Sequence, residues 1–266
     1  MFLTITGELG SGKSTISKLI ASKYNFEIYS AGKIQRELAK EKNMSTLEFN
    51  NYLKDHKSID NMIDDAVVEI SKTKADSDII FDSRMAWHFV ENSFKIYVFI
   101  DIDVATKRVL ADERGSVEKY SSFEEARQAL IERKETESKR FNEIYGVNTM
   151  CPTNYNLIID STFNSPEKIV EKIMERAMCF NSEQQRENLC EVLISPKSIV
   201  PTKNIDKLDK DKLEKTKTQM TSNKCDVIEP IVVKKHGGEY YVKSGHYKLA
   251  AALQLDLDFV NVEVEY

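Results

Sequence analysis

The chain is poor in features that would place it in a membrane or on nucleic acid. None of its apolar runs approaches the roughly 20 residues that cross a bilayer. Its N-terminus enters a β-rich stretch at once, so no signal peptide is expected. The formal net charge of −5 over 266 residues lacks the basic surplus of a general nucleic-acid binder. Cys151, Cys179, Cys190 and Cys225 form no C-x-x-C pair. They are expected to be reduced thiols of a cytoplasmic protein, neither a disulfide frame nor a zinc site. His56, His88, His236 and His246 also lack metal-ligand spacing. There is no internal repeat and no long low-complexity segment. What remains, with 41% hydrophobic and 30% charged residues, suits a soluble globular protein of one large or two smaller domains.

The stretch Gly7-Glu8-Leu9-Gly10-Ser11-Gly12-Lys13-Ser14-Thr15 fits G-x-x-x-x-G-K-[ST]. It follows the apolar run Phe2 to Thr6 and precedes the helical pattern Ile16 to Ala21, the context a phosphate-binding loop requires. Glycines let successive N–H groups face phosphate oxygens at a helix start. Gly7, Gly10, Ser11, Gly12, Lys13, Ser14 and Thr15 are therefore the candidate nucleotide-binding residues. Lys13 is expected at the β- and γ-phosphates and the Ser14 hydroxyl on Mg²⁺.

Short apolar strands alternate with helical stretches as far as about residue 180. Strands are expected at 2–6, 27–29, 79–81, 96–100 and 155–160. Helical spacing covers 31–42, 47–53, 59–74, 104–112 and 123–145, and Pro166 opens a last helix. This alternation predicts an α/β domain with a mostly parallel five-stranded sheet. Residues 181–191 read as a linker. From 192 the pattern changes to a small α+β domain with a charged helix at 209–220. A glycine-turn hairpin over 231–242, a helix at 247–255 and a closing strand at 259–264 complete it. This part holds 14 acidic and 13 basic residues from Asn181 onward, so it carries no basic patch.

Transfer of a phosphoryl group between two phosphates brings anions together, so several arginines should converge. Four clusters supply them. Arg36 follows the second strand and suits an acceptor phosphate. Asp82 and Arg84 lie at the carboxyl end of the third strand, where ligands of open α/β sheets collect. Asp82 is a second candidate Mg²⁺ group. Arg108 and Arg114 follow the fourth strand. Arg133, Glu137 and Arg140 share one face of a helix, so two arginines bracket a carboxylate that can orient them. Glu132, Lys134, Glu135 and Lys139 read as ordinary surface. The candidate catalytic set is Lys13, Arg84, Arg133 and Arg140. The candidate substrate-binding set is Arg36, Asp82, Arg84, Arg108 and Glu137.

With Gly7 to Thr15, Ser30 to Arg36, Asp82 to Arg84 and Glu132 to Gly146 in hand, residues 1 to about 178 resemble cytidylate kinase of the short archaeal type. The resemblance implies MgATP as donor, CMP or dCMP as acceptor, and a mobile lid carrying Arg133 and Arg140. It also implies a flexible monophosphate-binding segment at about 34–71. Two departures lie near the acceptor. Lys33 stands where the family usually has an acidic residue, and Asp82-Ser83-Arg84 stands where it often has Glu-Gly-Arg. No side-chain base is required, because a phosphate acceptor is already ionised.

From about Val192 the chain resembles the ParB/sulfiredoxin-like domain, on Ile194 to Ile199, Glu229 to Val233, Tyr240 to Val242 and Ser244 to Ala252. The resemblance implies a nucleotide phosphate at the turn opening the last helix, with Gly245, His246 and Lys248 as ligand residues. His246 stands where sulfiredoxin has its reactive cysteine, and no helix-turn-helix follows. A nucleotide-binding or regulatory module is the expectation, with a second phosphotransfer activity as its alternative. For the whole chain two alternatives stand beside the kinase. One is a kinase for another small acceptor. The other is a phosphate-loop switch that controls the C-terminal module.

Overall fold

The computed structural model describes residues 1–44, 52, 57–111, 120–182, 190–221, 229–236 and 238–265. The expected helix at 47–53, residue 52 apart, and Arg114 lie outside these residues.

The core is built on β1 (Phe2–Gly7), buried along its whole length. An apolar strand with no exposed face needs neighbours on both edges and layers on both faces. β1 pairs in parallel with β3 (Ile79–Asp82) on one edge and β4 (Ser93–Phe99) on the other. β2 (Glu27–Ser30) extends the sheet beyond β3, and β5 (Leu157–Asp160) extends it beyond β4, both in parallel. Helix α1 (Lys13–Tyr24) and helix α7 (Pro166–Ser182) cover one face. Ile16, Ile20, Ile169 and Ile173 close there over Leu3, Ile5, Ile96 and Val98. The remaining helices of this part are α2 (Ala31–Glu41), α3 (Lys57–Thr73), α4 (Ala86–Phe89), α5 (Ile102–Ala111) and α6 (Phe123–Tyr145).

Helix α6 is a rod of 23 residues, about 35 Å long at 1.5 Å per residue. Its start is fixed by Ser122, whose hydroxyl accepts from Glu125 N at 3.1 Å, while Glu125 accepts from Ser121 N at 2.7 Å. It ends at Gly146, whose φ of 68° suits the left-handed C-terminal turn. Ion pairing of Arg127 with Asp103 at 2.7 Å ties one end to α5. A hydrogen bond from the Tyr145 hydroxyl to Asp64 at 2.5 Å ties the other to α3.

The sheet does not stop at five strands. β6 (Glu191–Ile194) pairs in parallel with β5, so Glu191, expected in a linker, begins a strand. β10 (Val260–Glu265) pairs antiparallel with β6. β8 (Ile231–His236) lies parallel to β10, and β9 (Glu239–Ser244) returns antiparallel to β8 as the expected hairpin. β7 (Ile199–Val200) closes this edge beside β9. The described strands therefore form one sheet in the order β2-β3-β1-β4-β5-β6-β10-β8-β9-β7. Helices α8 (Lys210–Thr221) and α9 (His246–Gln254) pack together on the C-terminal part through Leu213, Ala250 and Ala251. Leu193 and Phe259 sit in the same core cluster as Leu3 and Ile96, so the two parts share apolar packing.

Cys151 and Cys190 are free thiols. Cys179 is disulfide-bonded, which corrects the expectation of four reduced cysteines. Wide sequence spacing carried no information about which thiols the fold brings together. No helix among the described residues is long and apolar enough to cross a membrane.

Candidate active site

The phosphate loop leaves β1 through two backbone positions that only glycine fills. At Gly7 φ is 148°, and a Cβ would fall 2.0 Å from Val98 O. At Gly10 φ is 75°, and a Cβ would meet Ala105 O at 2.9 Å. These close approaches press the loop against β4 and α5 and aim its N–H groups at the start of α1. Ser11 is buried, and its hydroxyl donates to Glu8 O at 2.7 Å. Ser14 and Thr15 are exposed at the first turn of α1, where a ligand can reach them.

Lys13 bends back over the loop and donates to Gly7 O at 2.8 Å and Glu8 O at 2.7 Å. Burial, and then the Arg84 guanidinium, push its ammonium down from the ordinary 10.5 to about 7, with a further push from Arg133. Asp82 and Glu8 oppose that shift. Arg84 is lowered in its turn to about 10, by burial first, then by Arg133, with Arg140 acting in the same direction. These interactions bring together Lys13, Arg84, Arg133 and Arg140, which are four cations drawn from the loop, the end of β3 and α6.

Glu137 meets this cluster from α6. It pairs with Arg84 and accepts from Arg133 Nε at 3.1 Å, so one carboxylate orients two guanidinia. The backbone at Arg84 is itself clamped. Its carbonyl accepts from Thr6 Oγ1 at 3.3 Å and Trp87 Nε1 at 3.0 Å. Asp82 ends β3 beside Lys13 and Arg84. One carboxylate, with Ser14 at the helix start, fits Mg²⁺, which takes one or two protein groups and fills the rest of its shell with water and phosphate.

Other expected residues fall elsewhere. Arg108 lies on α5. Its guanidinium donates to Gly10 O at 3.4 Å and Ser161 O at 2.8 Å, which places it against the phosphate loop and the end of β5. Arg36 falls on α2, its side chain outside what is described. Lys134, read as surface, is exposed and also pairs with Glu8, whose other carboxylate oxygen accepts from Ile100 N at 3.1 Å. The Tyr145–Asp64 bond had no signal, because its partners lie 81 positions apart.

The C-terminal group is arranged differently. Gly245 has φ of 100° and opens α9. His246 is buried, and its Nε2 lies 2.9 Å from Thr202 Oγ1. Burial, with Lys203 nearby, lowers its pKa. Lys248 donates to the Glu229 carbonyl and carboxylate, each at 3.0 Å.

Residues 2–163 match the cytidylate kinase-like family. The chain belongs to that family. It is accordingly an enzyme of the nucleoside monophosphate kinase class. Among its relatives, the cytidylate kinase of Methanocaldococcus jannaschii is 36% identical over 167 residues, covering 61% of this chain and 89% of that protein. That of Methanococcoides burtonii is 34% identical over 162 residues, covering 61% and 88%. Among solved structures, sulfiredoxin from Arabidopsis thaliana overlaps 28% of this chain and 83% of its own, at 20% identity and a TM-score of 0.26. That overlap is too slight to place the C-terminal part in a family.

Proposed function

We propose that this enzyme transfers the γ-phosphoryl group of MgATP to CMP or dCMP, giving CDP or dCDP. The observation that carries the reading is the gathering of Lys13, Arg84, Arg133 and Arg140 at one place, with Glu137 as the carboxylate paired among them. A single bound nucleotide needs less positive charge than this. Two phosphates and the group moving between them need it all. The same observation favours an enzyme over a phosphate-loop switch.

In this reading the loop N–H groups and Lys13 hold the donor phosphates. Arg84 holds the acceptor phosphate, kept in place by the Thr6 and Trp87 bonds to its carbonyl. Arg133 and Arg140 follow the transferred group from α6, oriented through Glu137. Ser14 and Asp82 would hold Mg²⁺, which neutralises donor charge when bound. Arg108 serves the donor side, beside Gly10. No residue need remove a proton, since the acceptor is already an oxyanion. We further infer that residues 192–266 form a nucleotide-binding or regulatory module, with Gly245, His246 and Lys248 as its ligand residues, and that the protein works in the cytoplasm.

ADP release from MgATP across CMP, dCMP, UMP, AMP and GMP tests the acceptor. Fast turnover with CMP or dCMP alone is expected. Preference for another acceptor would move the specificity. No turnover with any of them despite ATP binding would favour the switch.

A further inference from the structure

The order of the strands sets the direction in which the donor lies. In-line transfer puts donor and acceptor on opposite sides of the moving group. Arg84, the acceptor-phosphate residue of the proposed reaction, follows β3 on one side of β1, and β4 and β5 lie on the other side. A donor with its phosphates on the loop after β1 therefore carries its nucleoside over the carboxyl ends of β4 and β5. The loop after β5, residues 161–165, stands there. Its Phe163 is 58% exposed, yet it lines the cleft of about 880 Å³ that Gly7, Glu8 and Arg84 line too. An exposed aromatic face inside a nucleotide cleft suits a flat base.

This loop is fastened from three directions. Arg108 donates to Ser161 O at 2.8 Å and to Gly10 O at 3.4 Å, which ties it to the phosphate loop. Asp101 N donates to Thr162 Oγ1 at 2.9 Å, which ties it to the start of α5. The third direction is the C-terminal part. At the entry to the loop Asp160 is buried, and a buried carboxylate needs donors. Its Oδ1 accepts from Thr162 N at 2.9 Å, and its Oδ2 accepts from Ser198 Oγ at 3.3 Å. At the exit, buried Asn164 donates through Nδ2 to Asp258 O at 3.0 Å, and Lys168 pairs with the Asp258 carboxylate at 2.5 Å. Ser198 and Asp258 both lie beyond residue 163, where the family match ends. Both ends of a donor-side loop are thus held by residues outside that match.

We propose that the C-terminal part is a positioning element for the donor: Ser198, together with Asp258, sets the loop 161–165 so that Phe163 faces the base of ATP. This rests on the kinase reading, which puts the donor phosphates on the loop after β1. Ser198 touches no reacting atom and acts through Asp160 and Phe163. Loss of its hydroxyl takes a donor away from one oxygen of a buried carboxylate. That carboxylate moves to recover a partner, and Thr162 and Phe163 move with it.

Calorimetric titration of the full-length protein with ATP and with CMP tests it. Ser198→Ala is expected to weaken ATP binding about fivefold, the loss of one hydrogen bond, while CMP binding stays within about twofold. Ser198→Thr keeps the hydroxyl and should restore parental ATP binding. Phe163→Ala should weaken ATP binding by about tenfold, the loss of one stacked base. Adding Ser198→Ala to Phe163→Ala should cost little more, because both act through one ring. Unchanged ATP binding in Ser198→Ala, equal weakening of ATP and CMP, a Ser198→Thr protein as weak as Ser198→Ala, or full multiplication of the two effects in the double variant would each overturn the inference. Binding is read without turnover. A protein that shows this pattern but phosphorylates no acceptor fails the kinase reading alone, and a fast enzyme without the pattern fails this inference alone.

Discussion

The two ends of the molecule handle positive charge in opposite ways. At the phosphate loop, cations crowd one another: Arg84 and Arg133 depress Lys13, and Arg133 and Arg140 depress Arg84. In the C-terminal part the lysines flanking the expected ligand turn have carboxylate partners, and the histidine is lowered by burial. Lys248 has Glu229, Lys243 has Glu265 at 2.8 Å, and His246 has Thr202. Charge that is balanced within the fold mostly holds surface geometry and contributes little. Charge left in excess is costly to keep and makes sense only where an anion arrives to offset it. The first arrangement suits the phosphoryl transfer proposed above, whereas in the second the fold supplies its own counter-charges.

That contrast can be sharpened most strongly at Lys13. Lys13→Ala should lower turnover by roughly 10²-fold or more, the cost of losing one electrostatic stabiliser, with the melting temperature held or raised. Near-normal turnover would remove Lys13 from the mechanism. The same side chain gives the pH behaviour. Its folded pKa of about 7 lies below the ordinary 10.5. Between those values the unfolded chain binds the extra proton, so apo stability from this group rises with pH. A bound phosphate restores the proton. ATP binding at pH 8 should therefore take up a fraction of a proton, read by calorimetry in buffers of different ionisation enthalpy. Uptake should vanish in Lys13→Ala, and its persistence there would assign it to another group. The smallest effect is expected at the balanced end. Lys248→Ala breaks a pair with an exposed Glu229 and should cost about 1 kcal/mol of stability, leaving turnover unchanged. A large loss of turnover would mean the two ends are not so different.

The sequence carried much of the catalytic end because its information there is local. The loop motif sits between a strand and a helix, and Arg133, Glu137 and Arg140 follow helical spacing, so both were readable without a fold. Asp82 and Arg84 were placed by a rule about strand ends. What was missed depends on distant partners. Lys134 is on the surface as read, but its pair with Glu8 left no local sign because the partners lie 126 positions apart. For Arg108, nothing in its neighbours pointed to its contacts with Ser161 and Gly10. The pairing of β6 with β5 was invisible because a four-residue apolar strand looks the same in one sheet or two. Cys179 gave no sign of its disulfide for the same reason.

The central claim is that the arginines of α6 are held in excess for a second phosphate. Arg133→Met, scored for both turnover and melting, tests it most directly. The claim expects turnover of MgATP with CMP to fall tenfold or more, while the melting temperature stays within about 2 °C because a repulsive neighbour of Arg84 is removed along with one exposed ion pair. Unchanged turnover with a lower melting temperature would contradict it and make Arg133 and Glu137 an ordinary structural pair on the surface of a helix.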